Sequence, residues 1–228
     1  MTIIFFDFET TGLDHEKDEI IQFFFLNSTN QTQYSSFVNP GKQIPPFVTK
    51  LTGITNDDVA CYKKIEYYIH RIFDFIDQKE TVYLVGHNSD NFDKPFLKNA
   101  LQRIHYEIPK NWCFIDTLKI ARKLLPSLLN YKLDTLRENY KLSNSYAHLA
   151  SKDVLDLEKI YYAMAKQKTP EEMYALTKKK YNKMPFGKHK GKLFSEIPKD
   201  YFFFLLEKGI VGKDTNSDLF ESLQAYIA

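Results

Sequence analysis

Asp7 and Glu9 stand two apart in Phe-Phe-Asp-Phe-Glu-Thr-Thr-Gly. Asp93 closes the segment Gly-His-Asn-Ser-Asp-Asn-Phe-Asp, and His148 precedes Asp153 in Ala-His-Leu-Ala-Ser-Lys-Asp-Val. Carboxylate oxygens are the hard donors that small divalent cations prefer, and an imidazole titrates near neutrality, where it can take a proton from water. Four carboxylates and one imidazole therefore suit hydrolysis of a phosphodiester between two bound cations. Each pattern also has a plainer reading. Two acids at a strand end can simply meet solvent, a carboxylate in a first helical turn can complement the helix dipole, and a lone histidine can cap a helix or sit at the surface.

The elements around these residues decide whether they can meet. Thr2–Phe8 is an apolar run rich in β-branched and aromatic residues and predicts a buried strand, so Asp7 and Glu9 project from one face of it. Neighbouring carboxylates on a buried strand repel unless a cation lies between them. Gly12 permits a close approach just past the strand, and Leu13 is placed to meet a ligand or a lid. Asp93 follows a predicted strand, Tyr83–Val85, and falls in the first turn of a helix, with Asp90 the better N-cap candidate. Five residues of ideal helix turn about 500°, which would point His148 and Asp153 about 140° apart. They converge only if His148 lies in the loop before the helix and Asp153 within it.

Further strands are expected at Glu19–Leu26, Gln31–Val38, Thr81–Val85 and Trp112–Ile115. Helices are expected at Ile65–Phe75, Asn91–Arg103, Asp116–Leu125, Leu133–Tyr140 and about Ala150–Ala165. A meander of three strands followed by alternating strand and helix predicts an α/β sheet of about five strands covered on both faces. Residues 1–168 make this main domain. Residues 169–182 read as a helical, basic connector, and 183–228 as a small Lys-rich module with a helix opening at Pro198-Lys199-Asp200 and running through Leu206.

Composition sets the remaining bounds. The net charge of +2 is unevenly spread: residues 178–228 carry 10 Lys against 6 acids, and no acid falls between Lys178 and Lys192. That run is either a solvated tether or a surface that neutralises phosphates. Two cysteines, Cys61 and Cys113, have no metal-ligand spacing and fit a reducing cytoplasm. No apolar stretch approaches ~18 residues, so no membrane span is expected.

Together the motifs resemble the DEDDh branch of DnaQ-like 3′–5′ exonucleases, over roughly residues 1–168. Phe-Asp-Phe-Glu-Thr-Thr-Gly-Leu is similar to the family's first motif and Gly-His-Asn-Ser-Asp-Asn-Phe-Asp-Lys-Pro-Phe-Leu to its second. His-Leu-Ala-Ser-Lys-Asp is similar to its third, and Leu51–Thr55 and Tyr131–Leu136 resemble stretches between motifs. The tyrosine branch would place Tyr where Leu149 stands. His87 and Asp93 are six apart, as in TREX-type members, where five is common. The segment Phe-Gly-Lys-His-Lys-Gly-Lys is similar to the tail of exodeoxyribonuclease X. The resemblance implies an RNase H-like mixed five-stranded sheet and two Mg²⁺ ions, replaceable by Mn²⁺, held by Asp7, Glu9, Asp93 and Asp153. It implies His148 as the base, also touching substrate. It implies Glu9 and Thr10 on the terminal nucleotide, Leu13 and Phe92 against its base or sugar, and Tyr131 on the phosphate backbone. The implied substrate is a DNA 3′ end, single-stranded or frayed. An RNA trimmer of the RNase T or oligoribonuclease type and a catalytically silent nucleic-acid-binding module are the alternatives.

Overall fold

The computed structural model describes residues 1–76, 80–142 and 150–227. His148, the expected base, lies outside the described residues. Two compact units divide the chain, Met1–Thr177 and Lys178–Ala228.

In the first unit, β1 (Thr2–Thr10), β2 (Ile20–Asn27), β3 (Thr32–Phe37), β4 (Val82–Gly86) and β5 (Trp112–Asp116) form the expected mixed sheet in the order β3-β2-β1-β4-β5. The first three strands pair antiparallel, and β4 and β5 run parallel to β1. β1 is central and covered on both sides, which is why its sequence reads as a continuous apolar run instead of an alternation. Ile4, Phe6 and Phe8 point into one core with α3 (Ile65–Phe75) and α4 (Asp93–Arg103). Phe5 points into the other, with α5 (Thr117–Leu124), α6 (Leu133–Asn139), α7 (Ala150–Ala165) and α8 (Pro170–Thr177). Burial of each such phenylalanine contributes about 1.5–3 kcal/mol. The outer strand β3 is mostly polar and has no buried residue, as suits an unpaired edge.

Two short helices between β3 and α3, α1 (Pro46–Thr52) and α2 (Asn56–Ala60), were not foreseen. They close a small third cluster in which Val48 and Val59 pack on Ile21 of β2. On the segment read as a connector, α8 packs on α5 and β5 and buries Met173 in the second core, that of Phe5. Among the described residues no helix is long and apolar enough to cross a membrane.

The second unit has its own core, built by Met184, Phe194, Phe202, Leu205, Leu219 and Leu223. Its elements are two 3-10 turns, α9 (Lys199–Glu207) and α10 (Lys213–Ile227), the last kinked at Asn216. The expected helix after Pro198 is α9.

Candidate active site

β1 outruns its parallel neighbour. Its pairing with β4 ends at Phe5–Val85, whereas its pairing with β2 continues to Thr10. Asp7 and Glu9 therefore lie beyond the carboxyl end of β4, in the kind of crevice where α/β sheets bind ligands. Both share the face of Phe5, and α7 crosses that face. Along α7 the side chains of Val154, Leu157, Ile160, Tyr161 and Met164 form a buried stripe toward the sheet. Asp153 stands one helical repeat before Leu157, so the register that buries the leucine aims the carboxylate at β1.

The outcome is a cluster. Single carboxylate oxygens of Asp7, Glu9 and Asp153 all lie within 4.8 Å of one another. Asp93, buried in the first turn of α4, is the fourth member: Phe8 N–H donates to its Oδ1 at 3.0 Å, and its charge acts on Asp7. The protonation balance records the crowding. Burial, then the charges of Asp93, Glu9 and Asp153, hold the Asp7 carboxyl well above the usual range. Burial and then Asp153 push Glu9 up to about 7. Burial pushes Asp93 up to about 7 as well, against the N–H of Phe8. Four such groups cannot all ionise near neutrality unless positive charge enters among them. Their donor type, spacing and mutual repulsion fit divalent cations.

The loop from β4 into α4 is fixed from beneath by two residues. Asp116, fully buried, caps α5 through Leu118 N–H and also accepts the backbone N–H groups of Asn88 and Asp90. His87 bridges Thr117 Oγ1 at 2.9 Å and the Tyr131 carbonyl at 2.8 Å. Burial lowers its pKa to about 4, so it is a neutral strut. Gly86 is needed here because a Cβ would lie 2.5 Å from that of Ser89. The expectation that Asp90 caps α4 is not met. Phe92 holds the N-cap position with no side-chain bond, and the Asp90 carboxylate is drawn to Lys119 at 2.6 Å.

On the other flank, Thr11–Asp18 is stitched by Asp18. Its Oδ1 accepts from Thr11 Oγ1 and Lys42, and its Oδ2 accepts from Asp14 N–H. Leu13, at the tip, is 85% exposed. The Thr10 hydroxyl donates to the Gly12 carbonyl, and Thr10 itself pairs with Ile20 of β2 past an irregularity in the β1–β2 register. Phe92 is half-buried on Phe96. Tyr131 spends its hydroxyl on the Leu125 carbonyl and lines an open cavity of about 720 Å³ that Asp153 also borders. Arg122, Lys132 and Lys152 stand around the same cavity. Asp153, one member of the carboxylate cluster, thus shares a cavity with three cations, a combination suited to a phosphodiester.

Sequence reasoning missed Asp18, Asp116 and the cavity cations. Asp116 had a signal, an acid between a strand and a helix at an N-cap position. Nothing local marked Arg122, Lys132 or Lys152 as neighbours of Asp153.

A family model described as exonuclease (RNase T) matches residues 4–161. A second model, of a family named for a quorum-sensing-regulated virulence factor, matches residues 170–214. Exonuclease DPD1, chloroplastic/mitochondrial, of Arabidopsis thaliana is 33% identical over 175 residues, covering 71% of this chain and 55% of that protein. The 3′–5′ exonuclease DinG of Bacillus subtilis (strain 168) is 34% identical over 152 residues, covering 64% of this chain and 16% of its own. These matches, with that to a PolC-type DNA polymerase III, span 11 to 55% of the relatives' lengths. Exonuclease X in complex with 5′ overhanging duplex DNA shares the fold, with a TM-score of 0.56 at 24% identity over 77% of this chain and 99% of that one.

Proposed function

The chain belongs to the RNase T exonuclease family, and from that premise we propose that it is a metal-dependent enzyme removing nucleotides from DNA 3′ ends in the 3′–5′ direction. The observation that carries this reading is the meeting of Asp7, Glu9 and Asp153 within 4.8 Å, beside a buried Asp93. The relatives supply its direction: DinG is a 3′–5′ exonuclease by name, and exonuclease X is seen with DNA.

Asp7, Glu9, Asp93 and Asp153 would hold two divalent cations, Mg²⁺ by donor chemistry with Mn²⁺ as a substitute. When bound, such ions supply Lewis acidity to the scissile phosphate and positive charge for the attacking and departing oxygens. His148 takes the proton of the attacking water. Glu9 and the Thr10 backbone receive the terminal nucleotide, Leu13 and Phe92 flank its base or sugar, and Tyr131 with Arg122, Lys132 and Lys152 faces the phosphates. Catalysis is assigned to residues 1–168. Cys61 and Cys113 are not joined in a disulfide, which suits a reducing compartment, and we place the enzyme in the cytoplasm.

The test is digestion of a 5′-labelled single strand with Mg²⁺, next to its RNA twin and a circular single strand. A descending ladder from the DNA, with the circle intact, is expected. Faster loss of the RNA would move the substrate to RNA, and cutting of the circle would make the enzyme an endonuclease. No digestion of any strand would leave a binding module.

A further inference from the structure

We propose that the second unit is a sequence-nonspecific nucleic-acid clamp, its contact surface the basic hairpin Asn182–Phe194. The inference takes its ligand from the nuclease reading, but its test does not need catalysis.

The hairpin is a built element. Met184 N–H donates to the Lys192 carbonyl and Phe194 N–H to the Asn182 carbonyl, each at 2.9 Å, and Lys183 pairs with Leu193 across the strands. Met184 and Phe194 anchor its base in the unit's core. Its tip is folded by a 3-10 turn at Gly187–His189 and by Gly191, whose φ of 84° lets the chain return with Lys192 N–H on the His189 carbonyl. A Cβ on Gly187 would come within 2.7 Å of the Tyr201 hydroxyl, so the tip is pressed against α9. The Tyr201 ring lies under both the His189 ring, at 4.7 Å, and the Lys188 ammonium, at 4.9 Å.

That framework sorts the lysines. Lys178 is neutralised by Asp218 and Glu221, and Lys179 lies over the ring of Tyr181. Lys183, Lys188, Lys190 and Lys192 are exposed and make no ion pair among the described residues. Glu196, just past the hairpin, is turned to the Leu193 backbone N–H at 2.7 Å. Four unopposed ammonium groups on one rigid turn are therefore presented to solvent. Their mutual repulsion is relieved when a polyanion binds.

The chemistry chooses the partner. Residues 178–228 contain no arginine. Lysine meets phosphate as a compact point charge and lacks the planar fork that reads guanine bidentately. Such a surface grips backbone without reading bases, which is what an enzyme trimming any sequence requires. Being tethered to the catalytic unit, it raises the local concentration of the strand without touching the reaction.

The test compares the full chain with a Lys188→Gln/Lys190→Gln/Lys192→Gln triple variant and a matching Lys→Arg triple. Metal-free binding of a labelled strand of about 30 nucleotides is followed by anisotropy across a salt series, and hydrolysis is followed on the same strand and on a tetramer. Loss of three phosphate contacts lowers the slope of log affinity against log salt by about 2, at roughly 0.7 per contact on single strands. The Gln triple is expected to bind about tenfold more weakly at low salt, with the Arg triple restoring affinity. Its kcat and its turnover of the tetramer stay as in the parent. Unchanged affinity and slope would overturn the clamp, as would an equal loss on the tetramer. Retained strand binding together with lost binding of poly-glutamate would also overturn it and make an acidic protein the partner. A parent that binds but never hydrolyses refutes the nuclease reading alone.

Discussion

Phe8 N–H donates to Asp93 Oδ1 across 85 residues of sequence, at the point where β1 has run past β4. The bond exists because β4 stops at Gly86 and leaves that N–H without a strand partner. Asp93 thus does two jobs: it completes the sheet edge with one oxygen and adds charge to the cluster with its carboxylate. Asparagine can do the first but not the second. Asp93→Asn is expected to fold, to melt higher than the parent without metal because a buried like charge is gone, and to lose about 100-fold or more in metal-dependent activity. Asp93→Ala also strands the Phe8 N–H, at about 1–3 kcal/mol. Thermal melting and hydrolysis, each with and without Mg²⁺, separate the two jobs. Full activity in Asp93→Asn would remove the residue from the site.

The acid cluster makes metal-free stability fall as pH rises. Glu9 moves from an ordinary 4.5 to about 7 on folding, so the folded state holds its proton more tightly. The associated stability is present below pH 4.5 and is lost as pH climbs through about 7, with Asp7 and Asp93 adding to it in the same direction. In chelator, the midpoint should be lower at pH 8 than at pH 6.5, on the order of 5 °C for shifts of this kind. Mg²⁺ should close the gap, and Glu9→Gln should narrow it, leaving the part that Asp7 and Asp93 supply. A metal-free midpoint that does not move with pH, or that rises, speaks against the crowded geometry.

His87 acts with the opposite sign over a lower window. Its pKa falls to about 4 in the fold, so its contribution is present above the ordinary histidine value of 6.5 and is lost as pH drops through 4. Being neutral and doubly bonded, it has no proton to give or take in the range where the reaction runs. His87→Ala is expected to cost about 2 kcal/mol of stability from two lost buried hydrogen bonds. It should not shift the pH–rate profile between 5 and 8, whereas His148→Ala should abolish the acid limb. A profile that moves with His87 would make it a participant in proton transfer.

What was legible follows from the same physics. Asp153 occupies a position on α7 where the stripe continued by Leu157 calls for an apolar residue, and a charged group in an apolar register is a visible conflict. Asp7 and Glu9 were visible for the same reason, since every other residue from Ile4 to Thr10 is buried. α1 and α2 were not, because 7 and 5 residues are too few to display a helical period. Their signals were only at the ends: Pro46 and Gly53 bounding α1, and the Thr55–Asp58 capping box that opens α2. Asp90 was misjudged because capping preference is local, whereas the Lys119 that captures its carboxylate lies on another helix. The cavity wall was invisible for the same cause, since Arg122, Lys132 and Lys152 come from separate elements.

Leu13 offers a last expectation, because its exposure and its loop's rigidity pull in different directions. A leucine at 85% exposure adds little to the fold, so Leu13→Ala should change stability by less than about 0.5 kcal/mol. The loop beneath it, however, is held by Asp18, whose carboxylate is bound by Thr11, Asp14 and Lys42. A Cβ on Gly12 would lie 2.3 Å from that carboxylate, and three ligands keep the acid from stepping aside. Gly12→Ala must therefore displace the loop. If Leu13 packs against the terminal nucleotide, both variants raise KM for a DNA strand several-fold. Gly12→Ala alone also lowers the melting point, and their KM effects do not add, because both remove one contact. Independent, multiplying effects on KM would mean that the glycine serves the strand end directly and that Leu13 is idle.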